Sequence, residues 1–287
     1  DLLSVSVGFG ASAAVPFVEQ VAEGIRWSVD NGADIINLSF TTNTTDWDPS
    51  WDSAFQYAFD NDVVVVVAAG NRGSGTSTVG APATIPGVLT VAGVDPDGTA
   101  SVEASTQGIT LGVSAPSEKL LGVSADGAVV QWDGTSGAAP IVAGVAALVR
   151  SAHPDLDANN VINRIIQTAT PAKGSSVLYG YGLVDAERAV NAIVPMVSSN
   201  PMGSLEEWIR IYRRAEAGPV AQPSAEPVEI EALPPAASLT RDDSPLLPTR
   251  ETLLYGTVPL VMVTGAAILV ALGVTAAVRR IRSASRT

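Results

Sequence analysis

The sequence of 287 residues contains no cysteine and only one histidine. The lack of cysteine excludes a disulfide framework, a thiol nucleophile and any metal site with cysteine ligands. One histidine is too few for a zinc site built from several histidines. Basic residues are also scarce, since 16 Lys and Arg stand against 29 Asp and Glu for a net charge of −13. A nucleic-acid partner is therefore not expected, because a phosphate backbone is bound by basic surfaces.

Runs of about twenty hydrophobic residues without a polar face are absent except near the C-terminus. The 21 residues of Val258–Val278 carry no charge, and as a helix they would cross a hydrocarbon core of about 30 Å. Arginines follow at 279, 280, 282 and 286, which by the positive-inside rule places the C-terminus in the cytoplasm. We predict a transmembrane helix over 253–278 in contact with the lipid bilayer, a basic cytoplasmic tail over 279–287, and a single-pass protein of the cell membrane with its N-terminal domain outside.

Strand and helix patterns alternate over residues 1–195. This order predicts an α/β domain with a doubly wound parallel sheet and helices on both faces. The uncharged run over 63–69 is typical of a strand buried on both faces. The predicted strands are Leu2–Val7, Asp34–Phe40, Val63–Ala69, Val88–Val94 and Ile109–Ala115, and the predicted helices are Pro16–Asn31, Trp51–Asp60, Ser136–His153 and Asp157–Ala169.

We expect no further folded domain in the two segments that follow residue 195. Residues 196–214 include an amphipathic helix that starts with a capping-box pattern at Ser204 and Glu207. We expect this helix to close the domain, with a contact to a partner or a membrane surface as the alternative. Residues 215–252 form a Pro-rich acidic linker, with seven Pro between 215 and 249 and too little apolar surface to fold.

Two glycine-rich turns suggest different chemistry. Gly8–Ala13 follows a predicted strand and fits the dinucleotide pattern G-x-G-x-x-A. That reading needs an acid at the end of the next strand to bind a ribose, but the next strand ends at Asn37–Phe40. We therefore interpret the glycines as a tight strand-to-helix turn.

The segment Gly134–Pro140, GTSGAAP, begins a long helix pattern. A serine in the first helical turn lies next to unpaired N–H groups and the positive end of the helix dipole. These would stabilise an oxyanion that forms beside Ser136, although a plain serine cap fits as well. The turn Ala68–Gly73 follows the most apolar strand and places Asn71 to donate a hydrogen bond into a cleft, or to serve only as a turn residue.

Together, GTSGAAP, AAGN at 68–71, NLS at 37–39 and GAPA at 80–83 resemble the subtilisin-like serine endopeptidases, or subtilases. The resemblance runs in order from about residue 2 to about residue 190. It implies that Ser136 is the nucleophile and that Asn71 and the Ser136 backbone N–H bind the oxyanion. It also implies a substrate-pairing edge at Asn37, Leu38 and Ser39, and a specificity pocket walled by Ala68, Ala69, Gly70 and the segment 78–82, which includes Val79 and Gly80.

The sequence departs from the subtilase pattern at the rest of the triad. Neither D-[ST]-G nor H-G-T, the family's Asp and His motifs, occurs in it. The one histidine, His153, comes 17 residues after Ser136, which is about 25 Å along a helix and too far for a general base. Since an initiator Met and an export signal are also missing at Asp1, we expect an N-terminally truncated part of a longer enzyme. This chain alone is expected to be inactive.

The remaining expectations concern ligands and partners. Asp46, Asp48 and Asp52 share one loop, but Asp48 before Pro49 is more simply a helix cap, so neither a metal nor a cofactor is expected. A peptide or protein is the expected substrate. The linker, span and tail resemble the membrane-anchored mycosin-type branch, which implies a secretion machinery as a partner. The alternative is a non-catalytic pseudoprotease that binds peptides or acts as a scaffold.

Overall fold

The computed structural model describes residues 1–10, 13–213 and 252–284 in two compact units, the second of which contains 252–284. The helices of the first unit are α1 Phe17–Asp30, α2 Ser50–Asp60, α3 Thr135–Ala152, α4 Ala158–Thr168, α5 Ser176–Tyr179, α6 Ala186–Asn191 and α7 Leu205–Tyr212. Its strands are β1 Ile35–Leu38, β2 Val64–Ala68, β3 Leu89–Val94, β4 Leu111–Pro116, β5 Leu120–Val123 and β6 Val129–Trp132. The second unit contains a π-helical turn, Thr252–Thr257, and α8 Val258–Ala284.

A parallel sheet of four strands in the order β1-β2-β3-β4 forms the centre of the first unit. Leu38 at the end of β1 lies beside Val67 of β2, and Ala68 lies beside Val91 of β3. Every residue of β2 is buried, as expected for an inner parallel strand. The valines suit this position because side chains branched at Cβ favour extended backbone and pack well on a pleated surface.

Helices cover both faces of the sheet. Val64 and Val66 of β2 belong to the core that contains α3, α4 and α6, whereas Val65 and Val67 belong to the core that contains α1, α2 and α7. This alternation follows from the two-residue period of a strand. The predicted parallel sheet with helices on both faces is confirmed.

The structure differs from the sequence-based expectation at two sets of strands. Leu2–Val7, predicted as a strand, forms none, and no other described segment pairs with it. Leu2 is 99% exposed, so strand propensity without a partner strand has not produced a strand. The antiparallel hairpin of β5 and β6 was not predicted. Its four-residue strands are mostly exposed on both faces, so they lack the apolar alternation that marks a strand in sequence.

A buried arginine joins α4 to the end of α6. Arg164 is 7% exposed, and its guanidinium donates hydrogen bonds to the carbonyl oxygens of Ala189, Val190 and Ala192 at 2.6–3.0 Å. The carbonyls at a helix C-terminus lack intrahelical partners and carry partial negative charge. Arg164 therefore satisfies these groups and holds α6 on the core.

Helix α7 packs on α2 through buried Leu205. The predicted cap is present, since the Ser204 hydroxyl accepts the Glu207 N–H at 3.2 Å. Trp208 stacks on Trp47 with ring centroids 4.4 Å apart. Residues 205–212 therefore close over one face of the first unit, whereas residue 214 of the predicted segment lies outside the described residues.

Two helices in the described ranges are long and apolar enough to cross a membrane by length and composition. Thr135–Ala152 has a mean hydropathy of 1.2, and 44% of it is buried in the first unit. Leu253–Arg280 has a mean hydropathy of 2.3 over its most apolar part and no buried share. Helix α8 continues to Ala284, so part of the predicted basic tail is helical. Apart from Thr252, the predicted linker lies outside the described residues.

The packing on α4 gives a first testable prediction. Ile165 is 0% exposed and Ile193 is fully exposed. The same substitution should therefore destabilise the fold at Ile165 and leave its stability almost unchanged at Ile193. Ile165→Ala leaves a cavity in the core and is expected to lower the free energy of unfolding by about 2–5 kcal/mol. Ile193→Ala is expected to change it by less than about 0.5 kcal/mol. Urea unfolding followed by fluorescence measures both, and equal midpoints for the two variants would contradict the described core.

Candidate active site

Three segments meet at the carboxyl end of the sheet. Ser39 follows β1, Asn71 follows β2, and Ser136 lies in the first turn of α3. The ends of β1 and β2 are in register, which brings the two following loops to the same edge. Such an edge is where ligands bind in open α/β sheets.

Ser136 is held by a reciprocal pair of hydrogen bonds with Ser39. The Ser136 hydroxyl donates to the carbonyl oxygen of Ser39 at 2.9 Å, and the Ser39 hydroxyl donates to the carbonyl oxygen of Ser136 at 2.8 Å. Asn37 Nδ2 in turn donates to the Ser39 hydroxyl at 2.8 Å. Two of the three residues expected to pair with substrate, Asn37 and Ser39, therefore fix the position of Ser136.

The Asn71 amide is oriented by Thr135, the residue before Ser136. Asn71 Oδ1 accepts the Thr135 N–H at 2.8 Å and the Thr135 hydroxyl at 3.0 Å. The same hydroxyl accepts the Gly70 N–H at 3.0 Å. Because Asn71 Oδ1 accepts both of these hydrogen bonds, Asn71 Nδ2 points away from the Thr135 donors. No group in the described ranges accepts a hydrogen bond from Asn71 Nδ2.

Gly134 allows this close approach. Its φ of 142° is unfavourable for other residues, and a Cβ there would lie 3.0 Å from Asn71 Nδ2. The backbone N–H of Ser136, two residues later, is one of the unpaired donors of a helix N-terminus. It donates to no backbone carbonyl in the described part. Two N–H donors, from Asn71 and from Ser136, are thus available beside one hydroxyl.

Ser136 and Asn71 open on one cavity of about 250 Å³. Ala68 and Gly70 line it, as expected, but Leu38, Ala69, Val79 and Gly80 do not. Sequence reasoning missed several lining residues, among them Thr41 and Asn43 of the TTNTT run at 41–45. The complete lining is Phe40, Thr41, Asn43, Ala68, Gly70, Asn71, Ser74, Thr76, Thr135 and Ser136.

His153 lies at the other end of α3, where it is the C-cap residue. Its Nε2 is 2.7 Å from the carbonyl oxygen of Val190, and it does not line the cavity. The imidazole therefore joins the end of α3 to the end of α6. No acid–base side chain of the described ranges lines the cavity beside the Ser136 hydroxyl.

The acidic loop before α2 has protein partners. Asp48 accepts the Ser50 N–H at 2.9 Å, and this hydrogen bond holds the pKa of Asp48 below its usual value. Asp52 accepts the indole N–H of Trp47 at 2.6 Å and forms an ion pair with Arg213 at 3.0 Å. Within the described ranges, no three Asp, Glu, His or Cys side chains are grouped to hold a metal ion.

The Thr135 hydroxyl supplies a second prediction. Thr135 is 0% exposed, so Thr135→Val keeps its shape but leaves the Gly70 N–H and one acceptor site of Asn71 without a partner. We expect the free energy of unfolding to fall by about 1–3 kcal/mol, whereas Thr135→Ser, which keeps the hydroxyl, should recover most of this loss. Urea unfolding of both variants tests the arrangement, and a valine variant as stable as the parent would show that these hydrogen bonds are dispensable.

Comparison with known proteins finds relatives that match the part of the chain containing this cavity. The chain is 39% identical over 193 residues to the thermostable alkaline protease of Halalkalibacterium halodurans, covering 66% of this chain and 50% of that protein. It is 38% identical over 175 residues to subtilisin DY of Bacillus licheniformis, covering 59% of this chain and 61% of the relative. The chain thus spans only about half to three-fifths of these proteins.

The fold has solved counterparts as well. The structure of MycP1 from the ESX-1 type VII secretion system superposes with a TM-score of 0.55 at 28% identity, covering 65% of this chain and 58% of that one. The family model of the subtilases, peptidase family S8, matches residues 6–182. This match includes every residue that lines the cavity and extends over more than half of the sequence, and the chain therefore belongs to the subtilase family.

Proposed function

We propose that the protein is a serine endopeptidase that hydrolyses peptide bonds through an acyl-enzyme formed on Ser136. The observation that carries this proposal is the shared cavity of Ser136 and Asn71. A hydroxyl group and an amide that line the same space support attack by the first and oxyanion binding by the second. Membership of the subtilase family supports the same chemistry.

In the proposed reaction, Ser136 Oγ attacks the substrate carbonyl carbon and gives up its proton. The negative charge that develops on the carbonyl oxygen is bound by Asn71 Nδ2 and the Ser136 N–H, and the N-terminal end of α3 adds its dipole. The intermediate collapses as the amine leaves with a proton, and water then hydrolyses the ester. The Thr135 hydroxyl contributes by holding Asn71 in place before the reaction starts.

The first proton transfer needs a general base and the second needs its conjugate acid, and no side chain that lines the cavity in the described part of the chain supplies either at Ser136. The Ser136 hydroxyl donates to a backbone carbonyl, which is far too weak a base to take its proton. The one histidine is engaged at the opposite end of α3. We infer that the 287 residues alone do not hydrolyse peptides at a useful rate and that an Asp–His pair outside this sequence completes the triad.

The same observation favours a second candidate function. A serine without a base is a weak nucleophile, yet the cavity and its unpaired donors remain able to bind a peptide carbonyl. A pseudoprotease that binds peptides or serves as a scaffold is the alternative to the enzyme. Hydrolysis by the full-length protein separates the two.

For the location, we propose a single-pass anchor. The 28 residues of Leu253–Arg280 give a helix of about 42 Å, which exceeds a hydrocarbon core of about 30 Å. Arg279 and Arg280 at its C-terminal end support a cytoplasmic C-terminus, with the Ser136 domain outside. The likeness to MycP1 supports a role beside a type VII secretion machinery.

Replacement of the nucleophile tests the enzymatic proposal. In the full-length protein, Ser136→Ala should abolish hydrolysis of a casein or fluorogenic peptide substrate. The known effect in subtilisin, about 10⁶-fold in kcat, sets the scale. Ser151→Ala is the matched control, because Ser151 is exposed in the last turn of the same helix, and it should keep full activity. Hydrolysis that survives Ser136→Ala, or a full-length parent without any hydrolysis, would reject the proposed enzyme.

The absence of native cysteine makes the orientation testable. A single cysteine at Ser151→Cys should react with a membrane-impermeant maleimide on intact cells, because the domain is expected outside. A single cysteine at Ser283→Cys should react only after the membrane is permeabilised. The parent chain, which has no thiol, is the control for background. The reverse pattern would contradict the orientation, and labelling of both positions on intact cells would contradict the span.

A further inference from the structure

The cavity beside Ser136 lies where the first substrate side chain has to go. Ser136 and Asn71, which would contact the two atoms of the attacked carbonyl, both line it. The α-carbon of the same substrate residue is bonded directly to that carbonyl carbon. Its side chain is therefore the nearest group able to enter the cavity.

The cavity is polar but carries no charge. Apart from Phe40, Ala68 and Gly70, every lining residue has a hydroxyl or an amide, and none is acidic or basic. The nearby cation of Arg72 donates to the carbonyl oxygens of Ser101 and Ser105 and does not line the cavity. A charged side chain would gain no countercharge here, and an apolar one would displace water from the hydrogen-bonding groups of the lining without replacing its hydrogen bonds.

Asn43 and Thr76 form a fixed polar pair in this lining. Thr76 is 6% exposed, and its hydroxyl donates to Asn43 Oδ1 at 2.8 Å. The bond fixes which way the Asn43 amide faces. Asn43 Nδ2 keeps two N–H donors, and no group in the described ranges accepts from it. A substrate side chain that carries a carbonyl oxygen is the natural complement.

The loop after β1 packs closely on Gly70 and Gly80. A Cβ on Gly70 would lie 2.8 Å from Thr76 Cγ2 and 2.9 Å from Thr41 Oγ1. A Cβ on Gly80 would lie 1.9 Å from the carbonyl oxygen of Thr42. The loop after β1 is thus packed directly on the glycines behind the cavity, and this packing holds Thr41 and Asn43 at the lining.

We propose that this cavity selects substrates with an uncharged amide side chain, asparagine or glutamine, at the residue whose carbonyl Ser136 attacks, and that Asn43 and Thr76 determine this selectivity. The inference rests on the proposed function and adds its substrate class. Asn43 Nδ2 donates to the amide oxygen of the substrate side chain, and the hydroxyls of Ser74 and Thr41 are available to its amide nitrogen.

The first experiment measures cleavage by the full-length protein. Matched peptides differ only at the residue before the scissile bond, which is Asn, Gln, Leu, Met, Asp or Lys. We expect kcat/KM for Asn or Gln to exceed that for the similarly sized Leu or Met by about 10-fold, the worth of one or two hydrogen bonds, and to exceed that for Asp and Lys by more. Equal or faster cleavage after Leu or Met would overturn the inference while leaving the proposed enzyme intact.

Two variants assign the selectivity to its residues. Asn43→Leu removes the donor, and Thr76→Val removes the hydroxyl that orients it. Each should reduce the preference for Asn over Leu by at least about 5-fold. Asn159→Leu makes the same change on α4, which contributes nothing to the cavity, and should leave the preference unchanged. An unchanged preference in Asn43→Leu would reject its assigned role.

A binding measurement separates this inference from the proposed enzyme. Calorimetry with Ser136→Ala and acetylated tetrapeptides that end in Asn, Gln, Leu or Met reports selectivity without any chemistry. Tighter binding of the Asn and Gln peptides by Ser136→Ala, together with a full-length parent that hydrolyses none of the peptides, would support the cavity assignment and reject the enzyme. Indifferent binding, together with indifferent cleavage in the parent, would reject the cavity assignment alone.

Discussion

The burial of β2 on both of its faces is the constraint on which the first unit depends. A strand of valines with no exposed residue needs apolar cover above and below, and α3 with α4 on one face and α1 with α2 on the other provide it. Once these layers are set, the carboxyl ends of β1 and β2 and the N-terminus of α3 converge. The position of Ser136 is therefore set by the packing of helices on β2, several residues away from Ser136 itself.

At that meeting point, backbone groups do most of the positioning. The Ser39 carbonyl holds the Ser136 hydroxyl, and the Gly70 N–H anchors the hydroxyl of Thr135, which in turn orients Asn71. Such contacts are available because loops end the strands here and leave peptide groups unpaired. The same loops bring Asn43 and Thr76 to the cavity. The Ser136 hydroxyl, the Asn71 amide and the Asn43–Thr76 pair thus share one hydrogen-bonded framework.

The sequence was most informative where a pattern had one physical meaning. The valine run of β2, the first turn of α3 and the amphipathic face of α7 all lie in elements that the structure forms. It was less informative where a partner decides the outcome. Leu2–Val7 has strand propensity but pairs with nothing described, and the β5–β6 hairpin is too short and too exposed to be marked by periodicity. Thr41, Asn43 and Thr76 were missed because loop residues reach a cavity through tertiary contacts, for which sequence spacing gives no measure.

The arginine between α4 and α6 has a further consequence. Arg164 has only carbonyl oxygens among its hydrogen-bond partners in the described part, and a peptide carbonyl carries no ionisable proton. A carboxylate partner would be lost on acidification, as buried ion pairs are. The attachment of α6 to the core is therefore expected to withstand acid better than a salt bridge in the same place would.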